Sequence, residues 1–366
     1  MSALVFSTWS TVSPYGVGSE AFRAGVRAGR SAIGALDPAA WPGPFTEGAL
    51  VPGFSVAEHV GRKGTRTMDR VTAIAVTAVG LLLADGGPEP ASRTEETGLV
   101  LGTGSGSVQS IMNFTRDSLE GERPYHVDPA RFPNTVMNRA AGQSAIWHGI
   151  KGPNTTIAGG RLTGLTALSY AMRLHRGGHC ARVLCGAAEE YSEQRAWLEW
   201  HGRDGDDRTS PLGEGGAVFL LETAQDARAA GRRARAHLLA TRFRAFAAPS
   251  DARAALAQCV REALERAGAR AEDVYLAAPA ETGGILAGTE EAAIGDALGP
   301  AGPRLLKNRA LLGDASAATA SLKLAAVLSV LDDEETPPGA LALVTAVDRD
   351  GTAGCALLAA ATNEES

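Results

Sequence analysis

Two glycine turns in this chain each deliver one charged side chain to the start of a helix. Gly159-Gly160 is followed by Arg161, and Gly313 by Asp314. A helix start is a favoured place for a catalytic group, because free N–H groups and about half a unit of positive charge gather there. Asp314 suits that end electrostatically, whereas Arg161 adds a full positive charge to it. A guanidinium has no lone pair with which to attack a carbonyl, and in practice it is never deprotonated. The thiols offer no substitute. Cys180, Cys185, Cys259 and Cys355 lie far apart without zinc-type spacing and read as small, reduced core residues of a cytoplasmic protein. The glycine-rich Gly102–Ser107 lacks the lysine of a phosphate-binding loop and the third glycine of a dinucleotide fingerprint, so it reads as a tight strand-to-helix turn.

The elements around these turns follow from periodicity. Residues 3–8 form a strand-like opening, reached directly from Met1 without a secretory leader. Ser19, as a capping hydroxyl, and Glu20 start an alanine-rich helix that Gly29 ends. Residues 36–56 are rich in Pro and Gly and read as loop, and residues 67–84 read as a buried helix. A strand at 98–102 follows. The segment from Asn154 to Ala158 is strand-like, turns at Gly159-Gly160 into a helix ending at Gly177-Gly178, and continues into a strand at 182–186. The same plan recurs from Arg304 to Val344: strand, Gly313 turn, Asp314, buried helix, strand. Duplication at so long a period implies two similar α/β halves, 1–230 and 231–366, packed as one unit with covered, largely parallel sheets.

Composition sets the outer limits. The 366 residues carry 35 basic and 41 acidic side chains, a net charge of −6, which argues against nucleic-acid binding by bulk electrostatics. A 45% hydrophobic content excludes disorder, and the longest apolar run, Val71 to Ala84, is too short to span a bilayer. With only 5% aromatics and 44 glycines, the core has to be built from small aliphatic side chains at close range. No cofactor or metal motif is evident.

In order along nearly the whole chain, these segments resemble the β-ketoacyl synthases of the thiolase superfamily. Val12-Ser13-Pro14-Tyr15-Gly16 and Ala28–Ile33 resemble that family's opening motif. Phe132-Pro133-Asn134 through Gly142 and Gly149–Pro153 resemble the approach to its nucleophile, and Gly213-Glu214-Gly215-Gly216-Ala217 its GEGA segment. The resemblance implies the five-layered αβαβα thiolase fold of two pseudo-duplicated halves, almost always dimeric. It also implies a Cys-His-His set for condensing acyl thioesters, and each of those positions has changed here. Arg161 stands for the cysteine, Pro279 for the first histidine and Asp314 for the second. Arg309 stands for a lysine, Glu290 matches a glutamate, and Arg349 replaces the gating phenylalanine. The interval between Glu190 and Arg208, which caps the active site in the family, is short.

Ketosynthase-like chains without the cysteine act as chain-length factors. The resemblance therefore implies a non-catalytic subunit that pairs with an active ketosynthase α subunit, receives an acyl-carrier-protein-bound chain and shapes a polyketide tunnel at the heterodimer interface, with a lean toward polyene products. Gly106, Val108, Ile111, Met112 and Thr115 are the expected tunnel residues, a glycine at 106 lengthening the cavity. Arg131, Phe132, Thr156, Ile157 and Ala158 are the expected partner contacts. Because the first and last catalytic positions face each other in the family, Arg161 and Asp314 are expected to pair as a structural plug, with Glu281 as a second candidate partner. Two basic clusters, Arg62-Lys63-Arg66-Arg70 and Arg232-Arg233-Arg235, are candidate carrier-protein contacts or solvated surface. The alternatives are a malonyl-carrier-protein decarboxylase that primes the partner and a non-catalytic carrier-protein scaffold.

Overall fold

The computed structural model describes residues 3–86, 94–299, 302–333 and 335–362. The first half runs β1 (Leu4–Ser13), β2 (Gly16–Val17), α1 (Ser19–Ala28), β3 (Gly34–Ala35), β4 (Glu47–Ala49), α2 (Val56–Val60), α3 (Arg70–Asp85), β5 (Thr97–Thr103), α4 (Val108–Glu120), α5 (Arg139–His148), β6 (Asn154–Ala158), α6 (Thr163–Arg176), β7 (Arg182–Glu189), α7 (Glu193–Gly202), β8 (Leu212–Gly213), β9 (Gly215–Thr223) and α8 (Ala224–Ala229). The second half runs β10 (Ala236–Ala245), α9 (Ala252–Ala267), β11 (Val274–Pro279), α10 (Thr289–Leu298), β12 (Arg304–Leu305), α11 (Arg309–Leu312), α12 (Thr319–Leu331), β13 (Leu341–Asp348) and β14 (Thr352–Ala360).

The duplication is visible in the strand order. The first half's sheet reads β6-β5-β7-β9-β1 and the second's β12-β11-β13-β14-β10, each being third, second, fourth, fifth, first in its own half. The two sheets meet where Leu4–Phe6 of β1 pair with residues 236–238 of β10. The sheets are mixed, not largely parallel. β5, β6 and β7 are parallel, as are β11, β12 and β13, but β9 and β14 run antiparallel to their neighbours. Between β13 and β14 the reason is the turn at 349–351, too short for the crossover that a parallel pair requires.

The layers follow from which helices are buried on all sides. α6 and α12 lie between the two sheets in one core cluster that draws on both halves. α3 and α5 cover the outer face of the first sheet, and α9 and α10 that of the second. Every residue of α12 except Val330 is buried, Lys323 included, which explains its Ala/Leu/Ser composition. Small side chains let the two central helices approach closely: a Cβ on Gly164 of α6 would overlap Ser321 of α12.

Local readings at two places needed revision. Ser19 does not cap α1; the cap position is Gly18, at φ 100°, with no side-chain bond, because the short β2 strand feeds straight into the helix one residue earlier. The 36–56 loop contains β4, which pairs with β3 and, in parallel, with β8. That small sheet sits over a satellite cluster of Leu36, Phe45, Tyr191, Ala196 and Leu212, joined by Trp41 and Trp200.

Candidate functional site

β6 ends at Ala158, and Gly159-Gly160 swing the chain so that Arg161 stands at the entrance to α6. In the second half α11 ends at Gly313, whose φ of 68° admits the turn, and Asp314 follows directly. The main chain of Asp314 is held by Gly213 and Pro211, next to β8. The Arg161 Nη2 donates to the Asp314 carboxylate, with 8% and 1% of the two side chains exposed. The pair is not isolated. Arg203 Nη2 donates to the same Asp314 oxygen at 2.9 Å and Arg309 lies 3.4 Å from it. Asp314 Oδ1 accepts from the Ser316 N–H. Burial by itself would push the Asp314 carboxyl up, but Arg161, Arg203 and Arg309 together hold it well below the usual carboxylate range.

The wider network reaches the shortened segment after β7. Arg203, at the end of α7, has none of its side chain exposed and also meets Glu199. Asp207, in the 3-10 turn Gly205–Thr209, is shared between Arg309 of α11 and Arg349 of the β13–β14 turn. Arg195 of α7 donates to the carbonyls of Glu190, Gly213 and Asp314. Asp348, at the end of β13, accepts the main-chain N–H of Arg161 at 2.5 Å. That approach exists only because residue 160 is glycine, since a Cβ there would overlap the Asp348 carboxylate.

The other carried-over positions fall as follows. Pro279 ends β11 opposite Thr345 and offers no donor. Glu281 is not a partner of Arg161. It accepts from Lys323 of α12 and from the N–H groups of Asn308 and Arg309. Its backbone φ of 62° turns the side chain toward that helix start. Glu290 accepts from the Ala280 and Thr282 N–H groups and from Thr345. Arg349 is fixed by Asp207 and the Gly202 carbonyl. The four thiols are buried: burial pushes those of Cys185 and Cys259 up to about 12 and raises those of Cys355 and Cys180. No histidine belongs to the network among the described residues.

Sequence reading missed Arg203, Asp207, Asp348 and Lys323. The signal for Lys323 was present, as the single charge inside an otherwise apolar helix. Nothing in the sequence marks Arg203 or Asp207, whose ion-pair partners Asp314, Arg309 and Arg349 lie about a hundred residues or more away.

A second region lies on the outside of the first sheet. β6 is an edge strand paired only with β5, and its residues Thr156, Ile157 and Ala158 are half-buried or exposed. α4 buries no residue completely. Val108 and Ile111 are half-buried, Thr115 is exposed, and Met112 is 47% exposed, so neither Ile111 nor Met112 is a core residue. The turn Pro129–Thr135 carries Phe132, exposed and edge-on to Phe114, and Arg131, which pairs within the chain to Asp117 and Asp128. Leu119, Val136, Met137, Ile146, Trp197 and Leu198 are further exposed apolar side chains. Gly106 does not open onto free space: its φ is 70°, and a Cβ there would sit 3.2 Å from the Met137 Cα, so the Val136–Met137 main chain fills the room assigned to a longer cavity. Beneath α4, burial pushes the Glu189 carboxyl up to about 7. Burial, then Asp69 and Glu189, push Glu190 up to about 8.

Among the described residues no helix is long and apolar enough to cross a membrane, and no cluster of side chains suits a metal ion.

Residues 5–227 match the family model of the β-ketoacyl synthase N-terminal domain. The solved structure of the ishigamide ketosynthase/chain length factor superposes with a TM-score of 0.90 at 41% identity, covering 98% of this chain and 99% of that one. The 3-oxoacyl-[acyl-carrier-protein] synthase 2 of Rhizobium meliloti is 27% identical over 307 residues, 75% of this chain and 72% of its own. The tetracenomycin polyketide synthase ketoacyl synthase beta subunit of Streptomyces glaucescens is 27% identical over 355 residues, 89% and 85% of the two chains. With the duplicated αβαβα architecture and the family segments in register, the chain belongs to the β-ketoacyl synthase family of thiolase-like fold.

Proposed function

We propose that this chain is a catalytically silent chain-length factor, pairing with an active ketosynthase α subunit and shaping the tunnel for a carrier-protein-bound polyketide chain of polyene type. The observation that carries this reading is the buried Arg161–Asp314 ion pair at the two facing catalytic positions. A guanidinium bound to a carboxylate supplies no nucleophile, and neither position supplies the neutral imidazole that would stabilise an enolate. The likeness to a ketosynthase/chain length factor and to a polyketide ketoacyl synthase beta subunit supports the same assignment.

Pairing with another subunit accounts for the second region. An edge strand with free N–H and C=O groups is an invitation to a further strand, and β6 leads straight into the plug. Met112, Phe132, Met137 and Ile146 are large apolar side chains left exposed, the kind of surface a partner subunit would cover. In this reading Val108, Ile111, Met112 and Thr115, with Trp197 and Leu198 of α7, form this chain's share of the tunnel wall, and Arg131 and Phe132 reach the partner. A priming decarboxylase fits less well, because Asp348 already takes the Arg161 N–H that a developing oxyanion would use.

The test is co-expression with a ketosynthase that retains Cys-His-His. A heterodimer on gel filtration, with extended acyl chains on the carrier protein only when both subunits are present, is the expected result. Condensation or malonyl decarboxylation by this chain alone would refute the reading.

A further inference from the structure

The ion pairs around the vacated nucleophile position do more than neutralise Arg161: they tie the segment 203–209 to Asp314, α11 and the β13–β14 turn. Asp207 sits on the 3-10 turn that closes the short segment after β7, with 1% of its side chain exposed. It is gripped from below by Arg309 and from the side by Arg349. Arg349 also holds the Gly202 carbonyl at the end of α7, and Arg203 ties the same end to Asp314. The fit is built for this closure. A Cβ on Gly283 would overlap the Asp207 carboxylate, just as one on Gly160 would overlap Asp348. Just before α7, Tyr191 packs against Trp41, and Trp200 of α7 packs against Phe45. The segment 193–209 is therefore fastened along its length.

Resting on the silent-subunit reading above, we infer that Asp207 is a latch and Asp348 an internal oxyanion substitute, which together close this chain's own pocket to any thioester whatever side chain stands at position 161. Free N–H groups at a helix start are the natural seat for an anion. Here a carboxylate of the same chain occupies that seat, and the latch denies a competitor the path to it. The growing acyl chain is thereby confined to the partner's pocket and the shared interface. Loss of chemistry is enforced twice, by the residue at the elbow and by the lock over it.

Asp314 keeps Arg203 and Arg309 when Arg161 is removed, so Arg161→Cys can serve as a buried reporter thiol. The four native cysteines are buried and give a low background. Alkylation by iodoacetamide, followed by intact-protein mass, would be compared in Arg161→Cys, in Arg161→Cys with Asp207→Asn, and in the exposed reference Ser250→Cys. The expected result is labelling of Arg161→Cys no faster than the native thiols, and at least about tenfold faster once Asp207 is neutralised. Labelling of Arg161→Cys near the Ser250→Cys rate, or an unchanged rate with Asp207→Asn, would overturn the latch. If the double variant folds poorly, hydrogen exchange of residues 193–209 in Asp207→Asn with Arg161 intact decides the matter: faster exchange supports the latch and unchanged exchange refutes it. Gel filtration with the ketosynthase reports separately on the pairing, so a failed heterodimer and a failed latch are told apart.

Discussion

The plug and the α4 face treat the same kinds of side chain in opposite ways. Around Arg161 and Asp314, both buried, charged groups of Arg203, Arg309, Arg349 and Asp207 are paired, and glycines clear the way for two carboxylates. Around α4 and β6, apolar groups are left half-exposed and a strand edge is left open. A region that had merely lost its function would drift toward a loose or hydrated pocket. This one is filled by paired charges, while the face that would receive another subunit keeps exposed apolar side chains. On the proposed reading, the difference is that between a surface kept for a partner subunit and a pocket kept closed.

Removing the shared anion tests the plug most severely. Asp314→Ala leaves the buried guanidiniums of Arg161 and Arg203, with Arg309 beside them, without their shared carboxylate, and a loss of about 3–5 kcal/mol is expected in denaturant unfolding. Asp314→Glu, which keeps the charge, should recover part of it.

For the interface, Ile157→Asp sets a carboxylate on the edge strand. Affinity for the ketosynthase should fall at least about a hundredfold by sedimentation or titration, with the melting temperature of the isolated chain nearly unchanged. Equal affinity would place the partner elsewhere.

Arg161→Ala is expected to cost less than Asp314→Ala, roughly 1–3 kcal/mol, because Arg203 and Arg309 still satisfy the carboxylate. Arg161→Cys should leave condensation at background in a carrier-protein assay.

The smallest effect concerns pH. Glu189 and Glu190 titrate near 7 and 8 when folded, against an ordinary value of 4.5. The folded chain therefore holds protons there that the unfolded chain releases. That part of the stability is complete below about 4.5 and is lost as pH rises through the folded values. The melting temperature should be lower at pH 9 than at pH 6, and Glu190→Gln should flatten the difference.

How much of this was legible depends on the distance between partners. The helix stops at Gly29 and Gly177, strand β6 and the two glycine turns are local and readable, because periodicity and glycine conformations act over a few residues. The expected meeting of Arg161 with Asp314 came from the family resemblance, since 153 residues separate them. Glu281 was offered to Arg161 on the same ground, and the fold gave it to Lys323 instead. Gly106 read as an opening, yet the chain at Met137 comes back to close it.

By itself the sequence determined that a guanidinium follows the Gly159-Gly160 turn, where the family resemblance implies a nucleophile, and the chemistry of that group follows from its atoms alone, wherever the chain places it. Only the tertiary structure decided that Arg203, Arg309, Arg349, Asp207 and Asp348 gather around it. Their meeting depends on two sheets packed across α6 and α12 and on glycines at 160 and 283 that leave room for carboxylates. Charge attraction is long-ranged in a dry interior but carries no address in the sequence; the fold supplies the address.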